Sequence, residues 1–228
     1  MKSKTKSSKV NRAWLNDHVN DTYVKLAQKD GYRARAAYKL QEIDETLHLI
    51  KPGQLVLDLG SSPGAWSQYL ARKMFPKAAG GAAVAGGTVI ALDILAMDAV
   101  EGVTFLQGDF RLLEVLQQLT DQLQGRQADV VLSDMAPNLS GIASADAAQI
   151  ENLVELAIEF SQSHLKPQGA LVAKVFHGAA YDPLVRRFKA AFLVVKPIKP
   201  KASRDKSSET FLVGLGLKPA PIPRLACG

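Results

Sequence analysis

From residue 51 onward the chain alternates short apolar runs with longer stretches of helix-favouring sequence. Each run can form a strand buried on both faces, and each stretch between them a crossover helix, so the alternation points to a parallel α/β sheet. The strand candidates are Leu55–Leu59, Val89–Asp93, Val103–Gln107, Val130–Ser133, Ala170–Phe176, Phe192–Lys196 and Phe211–Leu215, with helical patterns at 65–75, 111–123, 146–164 and 182–190. The first five strands read as parallel and crossover-connected. The last two are joined by a polar loop, Pro197–Glu209, that leaves no room for a helix, so this pair is expected to be an antiparallel hairpin. The expectation is a seven-stranded, mostly parallel sheet with an antiparallel last strand and helices on both faces. Ligands of such sheets sit beyond the carboxyl ends of the strands, so those ends carry the functional reading.

Charge divides the chain. Residues 1–39 hold ten Lys/Arg against three acids, whereas the other 189 residues hold eighteen basic and nineteen acidic ones. The excess positive charge is therefore in one arm, which suits a polyanionic partner gathered through counterion release. Residues 1–10 alone read equally well as a solubilising tail. In "YVKLAQKDGYRARAAYKL", residues 23–40, aromatics are interleaved with Lys and Arg, the pattern of nucleic-acid contact. The organisation expected is a basic N-terminal arm with helices over 1–50, an α/β domain over 51–218 and a tail over 219–228. The Ala/Gly-rich segment Lys77–Thr88 reads as a loop insertion without chemistry. No run of about eighteen strongly apolar residues is present, so no membrane span is expected, and no apolar segment follows the basic N-terminus as a secretory signal would require. The single cysteine, Cys227, excludes an intramolecular disulfide and fits a reducing, cytoplasmic setting.

The strand ends hold a set of chemically active side chains. The first strand ends at Asp58 and runs into "GSSPGAW", with Gly60 and Gly64 before a helix. This is a nucleotide-type turn without GxGxxG, and with Pro63 in it, which argues for a nucleoside ligand lacking phosphates; a plain strand-to-helix turn is the alternative. Asp93 ends the second strand, where a carboxylate can accept from both ribose hydroxyls. It lies 35 positions beyond Asp58, or 24 once the insertion 78–88 is discounted. Asp109 follows the third strand and either meets an adenine edge or caps the next helix. Asp134 follows the fourth strand and Lys174 sits near the end of the fifth, so two neighbouring strands would set opposite charges side by side. A buried acid or amine at such depth requires a partner. A structural ion pair is the simplest alternative. No metal-ligand cluster is evident.

The segments "DLGSSPGAWSQYL", "LDI", "QGDF", "SDMAPNLSG" and "KVF", with "GYRARAAYKLQEID" upstream and "SRDKSSETFLVG" downstream, resemble in order the FtsJ/RrmJ family of S-adenosylmethionine-dependent ribosomal RNA 2'-O-ribose methyltransferases. The resemblance spans roughly residues 11–217. It implies a Rossmann-like methyltransferase fold, S-adenosylmethionine as cofactor, and a catalytic tetrad at Lys39, Asp134, Lys174 and Glu209. Cofactor contacts are implied at Gly64, Trp66, Asp93, Asp109 and Asp134, with Gly60 in the same turn. The family's bacterial members imply a uridine of the 23S rRNA A-loop as acceptor, met in the large (50S) subunit by a monomeric enzyme. The turn "SSPGAW" departs from the "AAPGGW" of bacterial relatives, and His177 stands where they tend to have glutamine; His177 reads as a bystander.

A free lysine amine is almost wholly protonated at neutral pH, and burial or a second ammonium favours the neutral form that can act as a base. Lys39 could supply that second charge, while Asp134 and Glu209 orient the amines and oppose the shift. Lys174 is thus expected either to take the hydroxyl proton or to steer the hydroxyl, with Lys39 assisting and Glu209 the least essential. Pyrimidine C5 chemistry would need a nucleophilic cysteine, for which Cys227 is a poor candidate. Amino-group methylation usually shows an Asn/Asp-Pro-Pro-aromatic turn where this chain has "DMAP". A nicotinamide oxidoreductase is disfavoured by the missing GxGxxG; a tRNA 2'-O-methyltransferase and a non-catalytic ribosome-assembly factor remain as alternatives. RNA phosphates are expected at Arg33 and Arg35 and, across the opening, at Lys199, Lys201, Arg204 and Lys206.

Overall fold

The computed structural model describes residues 21–76, 86–137, 141–204 and 207–219. The basic residues from Lys2 to Arg12, the insertion 77–85, Asn138, Lys206 and the tail with Cys227 lie outside the described residues. Two helices, α1 (Thr22–Asp30) and α2 (Ala37–Leu47), precede the sheet. Then follow β1 (Leu55–Leu59), α3 (Ala65–Met74), β2 (Thr88–Asp93), β3 (Val103–Gln107), α4 (Leu113–Leu123) and β4 (Ala128–Ser133). The chain continues with α5 (Ala143–His164), β5 (Leu165–Phe176), α6 (Tyr181–Ala191), β6 (Phe192–Ile198) and β7 (Glu209–Leu217).

The strands form one sheet in the order β3-β2-β1-β4-β5-β7-β6. All five residues of β1 are buried, as expected of a strand with parallel neighbours and both faces covered. The β6–β7 pair is antiparallel, as the short connection requires, but β7 also pairs antiparallel with β5 and so lies between β5 and β6. β5 begins at Leu165 rather than Ala170. The backbone stays extended through exposed Lys166, Pro167 and Gln168, with a register shift opposite Ala128 and Val130.

Side-chain alternation sorts the core into two layers. Leu57, Leu59, Val131, Leu171 and Ala173 face α4, α5 and α6, whereas Val56, Val130, Leu132, Val172 and Phe211 face α2 and α3. Leu40 and Ile43 of α2 are fully buried in that second layer. The boundary drawn between residues 50 and 51 therefore has no counterpart in the packing: α2 shares the core of the sheet. Among the described residues no helix is long and apolar enough to cross a membrane.

Candidate active site

The turn after β1 is built on glycines. Gly60 has φ 78° and its N–H donates to Leu92 O at 2.8 Å. A Cβ there would meet Met135 N at 2.7 Å, so only glycine lets the ends of β1 and β4 lie this close. Gly64, φ 104°, opens α3, and a Cβ on it would strike the Arg33 guanidinium at 2.5 Å. The peptide bond before Pro63 is cis. Asp93 joins this turn to the loop after β2: its carboxylate accepts from Ser62 N–H and Leu95 N–H, each at 2.8 Å.

These loops wall a cavity of about 520 Å³ at the carboxyl ends of β1, β2, β4 and β5. Gly60, Asp93, Asp109, Asp134 and Lys174 all line it. The opposite end of the sheet holds a larger hollow, about 690 Å³, around Arg126, Asp129, His164 and Lys166. That hollow has none of the strand-end residues and lies at the amino ends of the strands, where sheets of this type do not bind ligands. Asp109 does not cap α4, whose N-cap is Leu112. Its carboxylate instead accepts from the Arg111 backbone and guanidinium, the latter at 2.6 Å, and these bonds hold it below the usual carboxylate range.

Trp66 is placed differently from the other cofactor candidates. Its ring is buried, its Nε1–H donates to Ala36 O at 2.7 Å, and it packs on Phe211 at 5.8 Å, beneath α2. The indole therefore braces the α2 layer, and the cavity lining includes neither Trp66 nor Gly64.

The four polar candidates meet as two ion pairs. Lys174 Nζ lies 3.0 Å from Asp134 Oδ1 and donates to the Asp134 backbone carbonyl at 2.6 Å. Lys39 Nζ lies 2.6 Å from Glu209 Oε1, which also accepts from Ser203 Oγ at 2.9 Å. The pairing of β5 with β7 sets Lys174 opposite Phe211 and Phe176 opposite Glu209, so period-two alternation turns Lys174 and Glu209 to one face. Lys39 Nζ stands 5.9 Å above the Phe211 ring on that face. Burial pushes the Glu209 carboxyl up, but Lys39, Ser203 and Lys174 together outweigh it and hold it below its ordinary value.

The arginines expected at phosphates are occupied. Arg33 donates to Pro63 O at 3.0 Å, Asp98 O at 2.7 Å and Ala99 O at 2.8 Å, lacing the Gly60–Gly64 turn to the loop after β2. Arg35 pairs with Asp21, donates to Ala202 O and lies over the Tyr23 ring. Backbone carbonyls and Asp21 thus use donors that a phosphate would also need. Lys199, Lys201 and Arg204 are exposed on the β6–β7 loop. Residues that sequence reasoning missed line the cavity from α5: Gln149, Asn152 and Leu153, at the i, i+3, i+4 spacing that shares one helix face. Glu42 was also missed. It fastens the loop to α2 by accepting from Lys201 N–H at 2.6 Å and Ala202 N–H at 3.0 Å.

A doubly wound sheet with a cavity at its strand ends, and a lysine–carboxylate pair in the wall, defines a Rossmann-like architecture. The model of the FtsJ-like methyltransferase family matches residues 32–217, and the chain belongs to that family. It is 79% identical over 223 residues to the ribosomal RNA large subunit methyltransferase E of Albidiferax ferrireducens, covering 96% of this chain and 100% of that one. It is 70% identical to the protein of the same name from Variovorax paradoxus, covering 96% and 98%. Among solved structures, a Plasmodium falciparum protein described as a ribosomal RNA methyltransferase superimposes with TM-score 0.69 at 27% identity, over 82% of this chain and 98% of that one. The fibrillarin of Methanococcus jannaschii shares the fold at TM-score 0.51 and 17% identity, over 74% of this chain and 68% of that one.

Proposed function

We propose that this chain transfers a methyl group from S-adenosylmethionine to the 2'-hydroxyl of a uridine in the A-loop of 23S ribosomal RNA, as a monomer acting in the cytoplasm on the maturing large subunit. The observation that carries the reading is the Lys174–Asp134 pair in the cavity wall, with Lys39–Glu209 on the same sheet face. The names of the relatives supply the class of RNA.

The residues present fit the cofactor. Asp93 suits the ribose hydroxyls and Asp109 the adenine edge. Asp58 Oδ1 and Ser61 Oγ are buried without a hydrogen-bond partner at the cofactor turn, and such orphaned acceptors suit a cationic amino end. When bound, S-adenosylmethionine supplies an electrophilic methyl. The chain's own part is to hold the ribose hydroxyl in line and take up its proton. Lys174 either steers the hydroxyl as a cation or, as the neutral amine, takes its proton; Asp134 fixes the amine, and Lys39 and Glu209 close the far side of the acceptor site. Lys199, Lys201, Arg204 and Lys206, with the basic residues of the N-terminal arm, hold RNA phosphates. The reaction requires a 2'-hydroxyl, which restricts the substrate to RNA.

The test is mass-spectrometric mapping of ribose methylation on large-subunit rRNA from cells lacking this protein. One uridine should lose its 2'-O-methyl group; a methylation map identical to that of parental cells overturns the reading.

A further inference from the structure

The acceptor hydroxyl must reach Lys174, whose side chain is only 10% exposed. A nucleotide inserted that far has left its stack, and its neighbours need another aromatic face to lie on. Most rings near the strand-end rim are committed elsewhere. Trp66, Phe110 and Phe211 are buried, and Tyr23 and Tyr32 pack against Tyr38.

His177 differs from these. It is the first residue after β5, it is exposed, and its ring lies 4.4 Å from that of Tyr181 with the planes inclined by 33°. Its N–H donates to Ser208 O at 2.8 Å, which fixes it beside Glu209, the register partner of Phe176. Tyr181, the first residue of α6, packs inward on the core and gives the pair a firm base. Exposed Lys199, Lys201 and Arg204 stand on the loop that ends at Ser208. The open ring and these cations therefore stand on two segments that the His177–Ser208 bond ties together, just beyond the strand ends that carry Lys174 and Glu209.

We propose that the outer face of His177, backed by Tyr181, is a stacking platform for the nucleobase adjoining the methylated nucleotide. The proposal rests on the reading of the chain as an RNA 2'-O-methyltransferase, and it replaces the expectation that His177 is a bystander.

Two measurements test it. The first uses large subunits from cells lacking the protein as methyl acceptor. His177→Ala should raise KM for subunits by roughly 5- to 150-fold, the range for loss of one stacked base, with the Kd for S-adenosylmethionine unchanged, and His177→Phe should restore KM. The second uses an A-loop oligoribonucleotide carrying 2-aminopurine beside the target uridine, without cofactor. Its fluorescence should be quenched by the wild type and by His177→Phe but not by His177→Ala. A wild-type KM in His177→Ala, failure of phenylalanine to rescue, or no quenching by the wild type overturns the platform. If the wild type methylates no ribosomal RNA, the proposed function fails by itself, and the quenching experiment still decides the platform.

Discussion

A lysine inside an apolar strand must be held by opposite charge or it destabilises the fold. Lys174 meets that condition through both the carboxylate and the backbone carbonyl of Asp134. Lys174→Ala should lower kcat by roughly 10²- to 10⁴-fold, the usual share of a proton-transfer group, with S-adenosylmethionine affinity by calorimetry little changed; an active variant would remove Lys174 from the mechanism. Asp58 poses the reverse problem, a carboxylate fully buried at the end of β1 that accepts from Ser67 Oγ at 2.7 Å. Burial foremost, with the charges of Asp134 and Asp93, pushes it up to about 7 against Ser67's pull. Between about pH 4 and 7 the folded chain thus keeps a proton that the unfolded chain has released, so stability falls as pH rises through that window. The loss is on the order of 4 kcal/mol. Glu209, depressed, has the opposite sign: its contribution is lost as pH falls below its ordinary value, whereas that of Asp58 is lost as pH rises. The urea midpoint should drop between pH 5 and 8 in the wild type and much less in Asp58→Asn; equal slopes would contradict this account. The meeting of Lys174 with Asp134 was legible because both stand near the carboxyl ends of strands that could be read as neighbours. The roles of Arg33 and Arg35 were not, because a guanidinium looks the same in sequence whether it will bind phosphate or protein carbonyls.

At the scale of elements, strand tips were readable because apolar runs end where the cavity-lining residues begin, as at Asp93 and Asp134. What stayed hidden depends on contacts distant in sequence: the placement of β7 beside β5, and the fastening of the cofactor turn by residues 31–36. Gln68 Oε1 accepts from Arg33 N–H at 2.8 Å, and Arg72 donates to Asp30 O at 2.9 Å and Gly31 O at 3.2 Å. With Arg33 and Trp66, these bonds sew α3 to the segment before α2. Arg33→Ala should therefore weaken S-adenosylmethionine binding by about tenfold, since charged hydrogen bonds contribute roughly 1.5–3 kcal/mol each and only part of that reaches the ligand. RNA affinity and its salt slope should stay close to wild type. The opposite pattern in filter binding would return Arg33 to the phosphates. Gly60→Ala should abolish cofactor binding, because the added Cβ meets the backbone of Met135.

For the whole molecule, the uneven charge sets the expected ionic behaviour. Removing residues 1–20 deletes Lys2, Lys4, Lys6, Lys9 and Arg12. If these cations neutralise phosphates, the slope of log affinity against log salt should shrink by roughly 3–4 for single-stranded RNA, with methyl-donor affinity unchanged. An unaltered slope would confine RNA binding to the rest of the chain. The placement of β7 carries a different consequence, one of timing. Among the described residues, the strand synthesised last is inserted between two made before it, and it brings Glu209 to Lys39. During translation, β5 and β6 wait without the neighbour that both must bond, and the acceptor site lacks a wall. A fragment ending before residue 209 lacks both that strand and the Glu209 partner of Lys39, and is expected to show no methyl transfer.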